Sequence, residues 1–146
     1  MSTASDIVDT VKARLETITV DGGFNTDAGL NVITGRKQPD ETEVPIICVF
    51  DTSDEPDDAQ KYMPTMWVTL TIVAEAYISV GDNPQTSVHS ILSDIKTAVL
   101  LVDDRTLAGQ TLDFGYAGRE IVWPDDPGGL IAVRVSFESL DSETYG

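Results

Sequence analysis

The sequence has 146 residues and a formal net charge of -16 at pH 7, because 25 Asp and Glu outweigh 9 Lys and Arg. This length suits one domain with a single hydrophobic core. Hydrophobic residues make up 41% of the sequence, which is too apolar for a disordered acidic chain, so we expect it to fold. The acidic excess disfavours a groove that holds nucleic acid by neutralising its phosphates.

The start of the chain, Met1 to Asp6, lacks the basic and apolar regions of a signal peptide, and no apolar stretch reaches the length of a membrane span. We therefore expect a cytoplasmic protein with no membrane partner. The single cysteine, Cys48, cannot form an internal disulfide and lies in the apolar run from Val44 to Phe50. This position predicts a buried, unreactive thiol.

The first half of the chain predicts one helix and two strands. Apolar residues at helical spacing predict a helix over residues 6–17, with Ser5 as its N-cap. Turn-forming residues then lead to a short edge strand at residues 30–33. The run at residues 44–50 predicts a strand buried on both faces, and residues 51–64 have no periodicity, which predicts an exposed loop.

The second half begins with a long predicted strand over residues 66–78, one face of which is apolar and the other mixed. Asp82-Asn83-Pro84 supplies an N-cap and a first-turn proline for a second helix ending near residues 103–104. An apolar stripe supports this helix: Val88, Ile91, Leu92, Ile95, Val99 and Val102.

The remaining residues predict short strands at 111–116 and 119–123, a strong turn at 124–129 and a final strand at 130–140. Together these elements predict an α+β fold in a single small domain. Its sheet is expected to be mixed and mostly antiparallel, with about four to five strands and two main helices packed on it.

Metal binding is not predicted, although the chain has three adjacent carboxylate pairs: Asp57-Asp58, Asp103-Asp104 and Asp125-Asp126. Adjacent side chains point apart, and none of the pairs has the spacing of an EF-hand. Weak divalent cation binding between subunits remains an open alternative.

Catalysis is not predicted either. The only available base, His89, has Ser87 and Ser90 close to it in sequence on one predicted helix, where such neighbours do not face each other. The glycine pairs lack phosphate-binding spacing, so no cofactor is predicted. A small acidic hydrolase or metal-dependent enzyme remains a remote alternative, which would need carboxylates converging in a pocket.

A protein interface is the remaining candidate site. Eight acidic residues and no basic one lie between Gln38 and Asp58. Trp67 and Trp123 could anchor a partner or pack inside the domain, and the sequence favours neither. The candidate interface residues are Asp51, Asp54, Glu55, Asp57, Asp58, Tyr62, Trp67, Trp123, Asp125 and Asp126.

The order of elements resembles the tail terminator family of tailed bacteriophages, of the lambda type. A leading amphipathic helix is followed by a Gly-Asn-Asp-rich segment at residues 22–35, paired strands, a central helix and a closing strand pair. The most suggestive stretches are residues 23–29 with 44–47, residues 88–98 and the C-terminal strand pair. The resemblance spans nearly the whole chain and is one of pattern, without an invariant motif.

The resemblance implies a homo-oligomeric ring, usually a hexamer, at the head-proximal end of the tail in a virion assembled in the bacterial cytoplasm. Such a ring ends growth of the major tail tube protein and meets head completion or connector proteins. DNA passes through its lumen, where a negative lining reduces sticking, and no catalysis is involved.

In such a ring, we expect the loop at residues 51–64 and the turn at 124–129 to contact neighbours or the tube. Two other interpretations remain open. One is another head-tail joining or tail completion protein, and the other is an acidic binding module that is not viral.

Overall fold

The computed structural model describes residues 4–40, 42–56, 65–100, 106–107, 109, 111, 113–125 and 129–144. In chain order the elements are α1 (Ala4–Leu15), a 3-10 turn (Ala28–Leu30), β1 (Val32–Thr34), β2 (Ile46–Pro56), β3 (Thr65–Ser79), α2 (Pro84–Val99), β4 (Asp113–Val122) and β5 (Leu130–Thr144). The predicted α+β fold with two helices is confirmed.

The five strands form one sheet in the order β1-β2-β3-β5-β4. β1 runs parallel to β2, and every other neighbouring pair is antiparallel, so the predicted mixed sheet is confirmed. β3 and β5 pair along their entire lengths, from Thr65 opposite Thr144 to Ser79 opposite Leu130. This central pair is the longest element of the fold.

Both helices contribute their apolar stripes to the core on one sheet face, which we call the helix face. The stripe of α1 consists of Ile7, Val8, Val11 and Leu15. The predicted stripe of α2 is buried from Val88 to Val99, while Val102 lies outside the described residues. Alternate residues of β5 complete this core: Ile131, Val133, Val135 and Phe137. Removing this apolar surface from water is the main force that holds helices and sheet together.

The expected loop at residues 51–64 is wrong in its first part, because β2 continues to Pro56. Asp54 and Glu55 pair with Leu70 and Thr69 of β3, after a bulge at Thr52. An exposed strand can keep its backbone hydrogen bonds while it carries polar side chains. A polar composition therefore does not distinguish such a strand from a loop. Residues 57–64 lie outside the described residues.

The two short strands predicted at residues 111–116 and 119–123 are one strand, β4. A register shift between Tyr116 and Gly118 leaves Ala117 as the extra residue of a bulge. Gly118 has a φ of 133°, a conformation that glycine adopts readily and other residues avoid. The glycines at this point therefore indicate a bulge within one strand, where we had expected a break.

Asp94 of α2 fixes the Gly-Asn-Asp-rich segment to the core. Its carboxylate accepts hydrogen bonds from the backbone N–H groups of Asn25, at 3.0 Å, and Thr26, at 2.8 Å. The Thr26 hydroxyl donates a third, at 2.7 Å. Three donors satisfy a carboxylate that is almost fully buried, and this compensates for its removal from water.

Gly29 lies where this segment crosses the end of α1. Its N–H donates to the carbonyl oxygen of Ile18 at 2.8 Å. A Cβ atom at this position would lie 2.6 Å from the carbonyl oxygens of both Leu15 and Ile18. Only glycine therefore permits this approach of two backbone segments.

We expect Gly29→Ala to lower the free energy of unfolding by about 1–3 kcal/mol, because backbone atoms must move to admit the methyl group. Gly115→Ala is the matched control, since a Cβ there meets no atom within 4 Å. Urea denaturation of both variants measures the difference. Equal stability of the two variants would contradict the crowding inferred at Gly29.

Candidate interaction surfaces

The sheet face opposite the helices, which we call the second face, is buried at one end and exposed at the other. Along β3, Val73, Glu75 and Tyr77 are buried, and Glu75 is only 2% exposed. Thr69 and Thr71 are half-buried, and Trp67 is 46% exposed. The end near Tyr77 is thus part of the interior, and the end near Trp67 faces outward.

The buried end is formed by a second small apolar cluster. Ile46, Cys48 and Tyr77 form its centre, and Val44, from the connection between β1 and β2, packs against them. Cys48 is fully buried, which confirms the predicted burial of this cysteine. Burial also raises the pKa of the Cys48 thiol, which keeps the thiol protonated and poorly nucleophilic.

A charged network lies within this cluster. The Nε and Nη2 atoms of Arg134 contact Oε2 of Glu75 at 2.9 and 2.6 Å. The Tyr77 hydroxyl donates to Oε1, and Arg36 Nε lies 3.6 Å from the same oxygen. The network joins β3, β5 and the connection after β1.

These contacts decide the ionisation of the network. Burial raises the pKa of Glu75, but the Tyr77 hydroxyl and the two arginines outweigh that effect and leave the pKa below its ordinary value. Burial and the bond to Glu75 raise the pKa of Tyr77 to about 12. At neutral pH, Glu75 is therefore an ionised carboxylate held by a neutral tyrosine and two cations.

We expect Arg134→Met to lower the free energy of unfolding by about 2–3 kcal/mol at pH 7, because it leaves the buried Glu75 charge without its main partner. Arg36→Met, the matched control, should cost less than about 1 kcal/mol. The reason is exposure, since the side chain of Arg36 is 64% exposed and that of Arg134 is 32% exposed. Urea denaturation measures both losses.

The difference in stability between wild type and Arg134→Met should also depend on pH. Because the pKa of Glu75 is lowered in the folded chain, its stabilisation is fully present above the unfolded pKa and is lost as the pH falls through the folded pKa. The stability difference between wild type and Arg134→Met should therefore shrink in acid. A difference that stays constant down to the folded pKa would contradict this assignment.

The exposed end of the second face, which we call the distal face, is acidic. It consists of Ser53, Glu55, Trp67, Thr69, Thr71, Asp113, Gly115, Glu138 and Leu140. All of the ionisable side chains in this set are carboxylates. A shallow depression of about 360 Å³ lies between Thr69, Asp113, Glu138 and Leu140.

The two edges of the sheet differ from each other. β1 pairs only with Ile47, Cys48 and Val49, so no described strand lies beside β2 from Phe50 onward. Asp51, Asp54 and Glu55 are exposed on this outer edge. The opposite edge is β4, where Tyr116, Val122 and the adjoining Trp123 are exposed large apolar residues. Open strand edges present unpaired N–H and C=O groups and readily join other chains.

The predicted interface residues lie mostly at two ends of the sheet. Asp54, Glu55 and Trp67 lie toward the end near Trp67, Asp51 lies opposite Ile72 in the middle of β3, and Trp123 and Asp125 follow β4 at the other end. In the strand register, Trp67 lies opposite Ser142 of β5, and Val122 lies opposite Ala132 of β5. Ser142 and Ala132 are ten residues apart, which corresponds to a distance of roughly 33 Å along the strand. The residues at the two ends therefore form two separate patches.

Both tryptophans are exposed, so the alternative in which they pack inside the domain is wrong for this chain. The remaining predicted interface residues lie outside the described residues: Asp57, Asp58, Tyr62 and Asp126. Sequence reasoning missed Tyr116, Arg119 and Val122, all exposed on β4. The sequence held a signal, because Arg119 is close to Tyr116 and Trp123, and arginine, tyrosine and tryptophan are enriched among residues that dominate interfaces.

Within the described part of the chain, no group of three or more His, Cys, Asp and Glu side chains is placed to hold a metal ion. None of the described helices combines the length and apolar character needed to cross a membrane. No protein-family model matches the chain, and no curated protein matches it either.

Proposed function

We propose that this chain is a structural protein of a phage virion that forms a ring at the head-proximal end of the tail tube. The ring stops tube growth, meets the head completion proteins and lets DNA pass through its lumen. The proposal extends the family resemblance of the sequence, and the observation that carries it is that the sheet has two unlike edges beside which no described strand lies. Unlike edges favour a head-to-tail contact, which closes into a ring when the rotation permits.

The charge distribution supports a lumen for DNA. The described ionisable groups of the distal face are carboxylates, and the whole chain carries -16. A channel lined by carboxylates repels phosphates and lets DNA pass without adhering. In the proposed ring the distal face is directed toward the lumen and the helices lie outside.

The asymmetry of the protomer supports termination. A terminator must match the last tube ring on one side and offer a different surface on the other. The distal end of the sheet carries Trp67 and the carboxylates of β2, while the opposite end carries Trp123 and Asp125. One copy therefore presents chemically different ends along the strand direction.

We expect the purified chain to form a closed ring of about six copies, and we expect salt to favour it. Acidic protomers repel one another, and at about 1 M salt the Debye length falls to about 3 Å, which screens that repulsion. Light scattering coupled to size exclusion, from low to high salt, measures the mass. A ring that dissociates as salt rises would contradict this electrostatic account.

We expect deletion of the gene from the phage that encodes this chain to give tails of uncontrolled length and DNA-filled heads without tails. Electron microscopy of the lysate measures both, and expression of the chain in trans should restore normal virions. Tails of normal length that fail to join heads would instead indicate a joining protein. Normal virions after deletion would contradict both functions.

A further inference from the structure

Arg119 differs from the other described basic residues. Six of these seven contact a group within the chain: Lys12 on Glu16, Arg14 on the Val99 carbonyl, Arg36 and Arg134 on Glu75, Lys37 on Glu43, and Lys96 on the Tyr116 ring. Arg119 is exposed on β4 and contacts none of the other described side chains through a hydrogen bond or ion pair. In a chain of net charge -16, such a cation suits an acidic partner surface.

Two exposed residues close to Arg119 on this edge, Tyr116 and Trp123, are of types that often dominate binding energy at interfaces. Tyr116 and Val122 are exposed on the same strand, and exposed Trp123 follows directly. Arginine, tyrosine and tryptophan are the types most often found to dominate an interface, in part because they combine apolar area with directed polar contacts. β4 is also the last described strand of the sheet, so no described strand pairs with its outer edge.

The opposite edge carries the complementary charge at nearly the same level. The strand register places Arg119 in one row across the sheet with Val135, Ala74 and Val49. All four residues therefore lie at the same height and on the same sheet face. Asp51 follows Val49 by two residues on that face, a separation of about 7 Å along the strand. An arginine side chain reaches this far. Asp54 is also on this face, because it pairs with Leu70, but it lies about 13 Å along the strand from the level of Arg119 and adds only to the acidic character of this edge.

The apolar residues of the two edges are also level with each other. Leu30 is 75% exposed and precedes Asn31, whose carbonyl oxygen accepts a bond from Ile47 N–H at 3.0 Å. Across the sheet, the strand register places Val122 at the same height as Ile46, the residue before Ile47. Leu30 on one edge thus lies at the height of Val122 and Trp123 on the other.

We propose that the outer edge of β4 in one copy joins the outer edge of β1 and β2 in the next copy. Arg119 pairs with Asp51, and Val122 and Trp123 pack against Leu30. β2 and β4 run in opposite directions, so copies related by rotation about a ring axis bring them together as antiparallel strands. This inference rests on the proposed ring and names the surfaces that close it.

Cross-linking of two cysteine variants tests which edges meet. Thr52→Cys and Ala117→Cys place thiols on exposed bulge residues of β2 and β4, outside the contacts named above. The two variants are mixed at low salt, assembled at higher salt and then treated with a short bis-maleimide. We expect this mixture to give covalent dimers. Neither variant alone should do so, nor should wild type, whose Cys48 is buried. Dimers from one variant alone would show that like edges meet and would overturn the inference.

Charge reversal tests the ion pair. Arg119→Glu should raise the protein concentration at half-assembly by about tenfold or more, and adding Asp51→Arg to it should restore much of the loss. Lys12→Glu is the matched control, because it makes the same change in net charge on α1, where Lys12 pairs with exposed Glu16. Equal impairment by Lys12→Glu, or no impairment by Arg119→Glu, would overturn the pairing.

The two experiments separate this inference from the proposed function. Rings of wild-type protein that give no cross-link between the two variants would overturn the edge pairing and leave the ring intact. A wild-type chain that stays monomeric and gives no cross-link would overturn the pairing as well. Whether the chain ends tail growth would still be decided by tail length after deletion of the gene.

Discussion

The length of the β3–β5 pair determines the rest of the molecule. Fifteen paired residues in each strand span about 50 Å, whereas the 16 residues of α2 span about 24 Å. Neither helix can therefore cover more than about half of the strands on its own side. Of the described residues outside the sheet, part of the connection between β1 and β2 packs on the other face, where Glu55, Trp67 and Glu138 are exposed.

The Glu75 network sets the boundary of that exposed area. A carboxylate on the second face needs cationic and hydroxyl partners before it can be buried, and Arg134, Arg36 and Tyr77 supply them. Because Arg36 belongs to the connection after β1, the same contacts hold this connection against the sheet. Beyond Val73 the second face becomes polar and acidic toward Trp67.

The helices and the central strands could be predicted because burial imposes a period on their apolar residues. The period disappears where an element is exposed, which is why β2 beyond Phe50 was predicted to be a loop. Asp94 and Glu75 could not be assigned, because their partners are distant in sequence: Asn25 and Thr26 for one, Arg134 and Arg36 for the other. The candidate carboxylates on β2 were found from charge, but their complement, Arg119, becomes recognisable only when the other described cations are seen to have partners.

The position of Arg119 bears on how so acidic a chain can associate with itself. Repulsion among copies acts over the Debye length, about 8 Å at physiological salt, whereas an ion pair at a joined strand edge acts at contact distance. Salt therefore weakens the distributed repulsion more than it weakens a partly buried pair. In the proposed ring, one cation at the edge favours a specific contact together with apolar contacts and backbone hydrogen bonds, while the remaining acidic surface opposes contacts elsewhere. Under this proposal, the charge that keeps other surfaces apart leaves the two unlike edges as the favoured place for copies to meet.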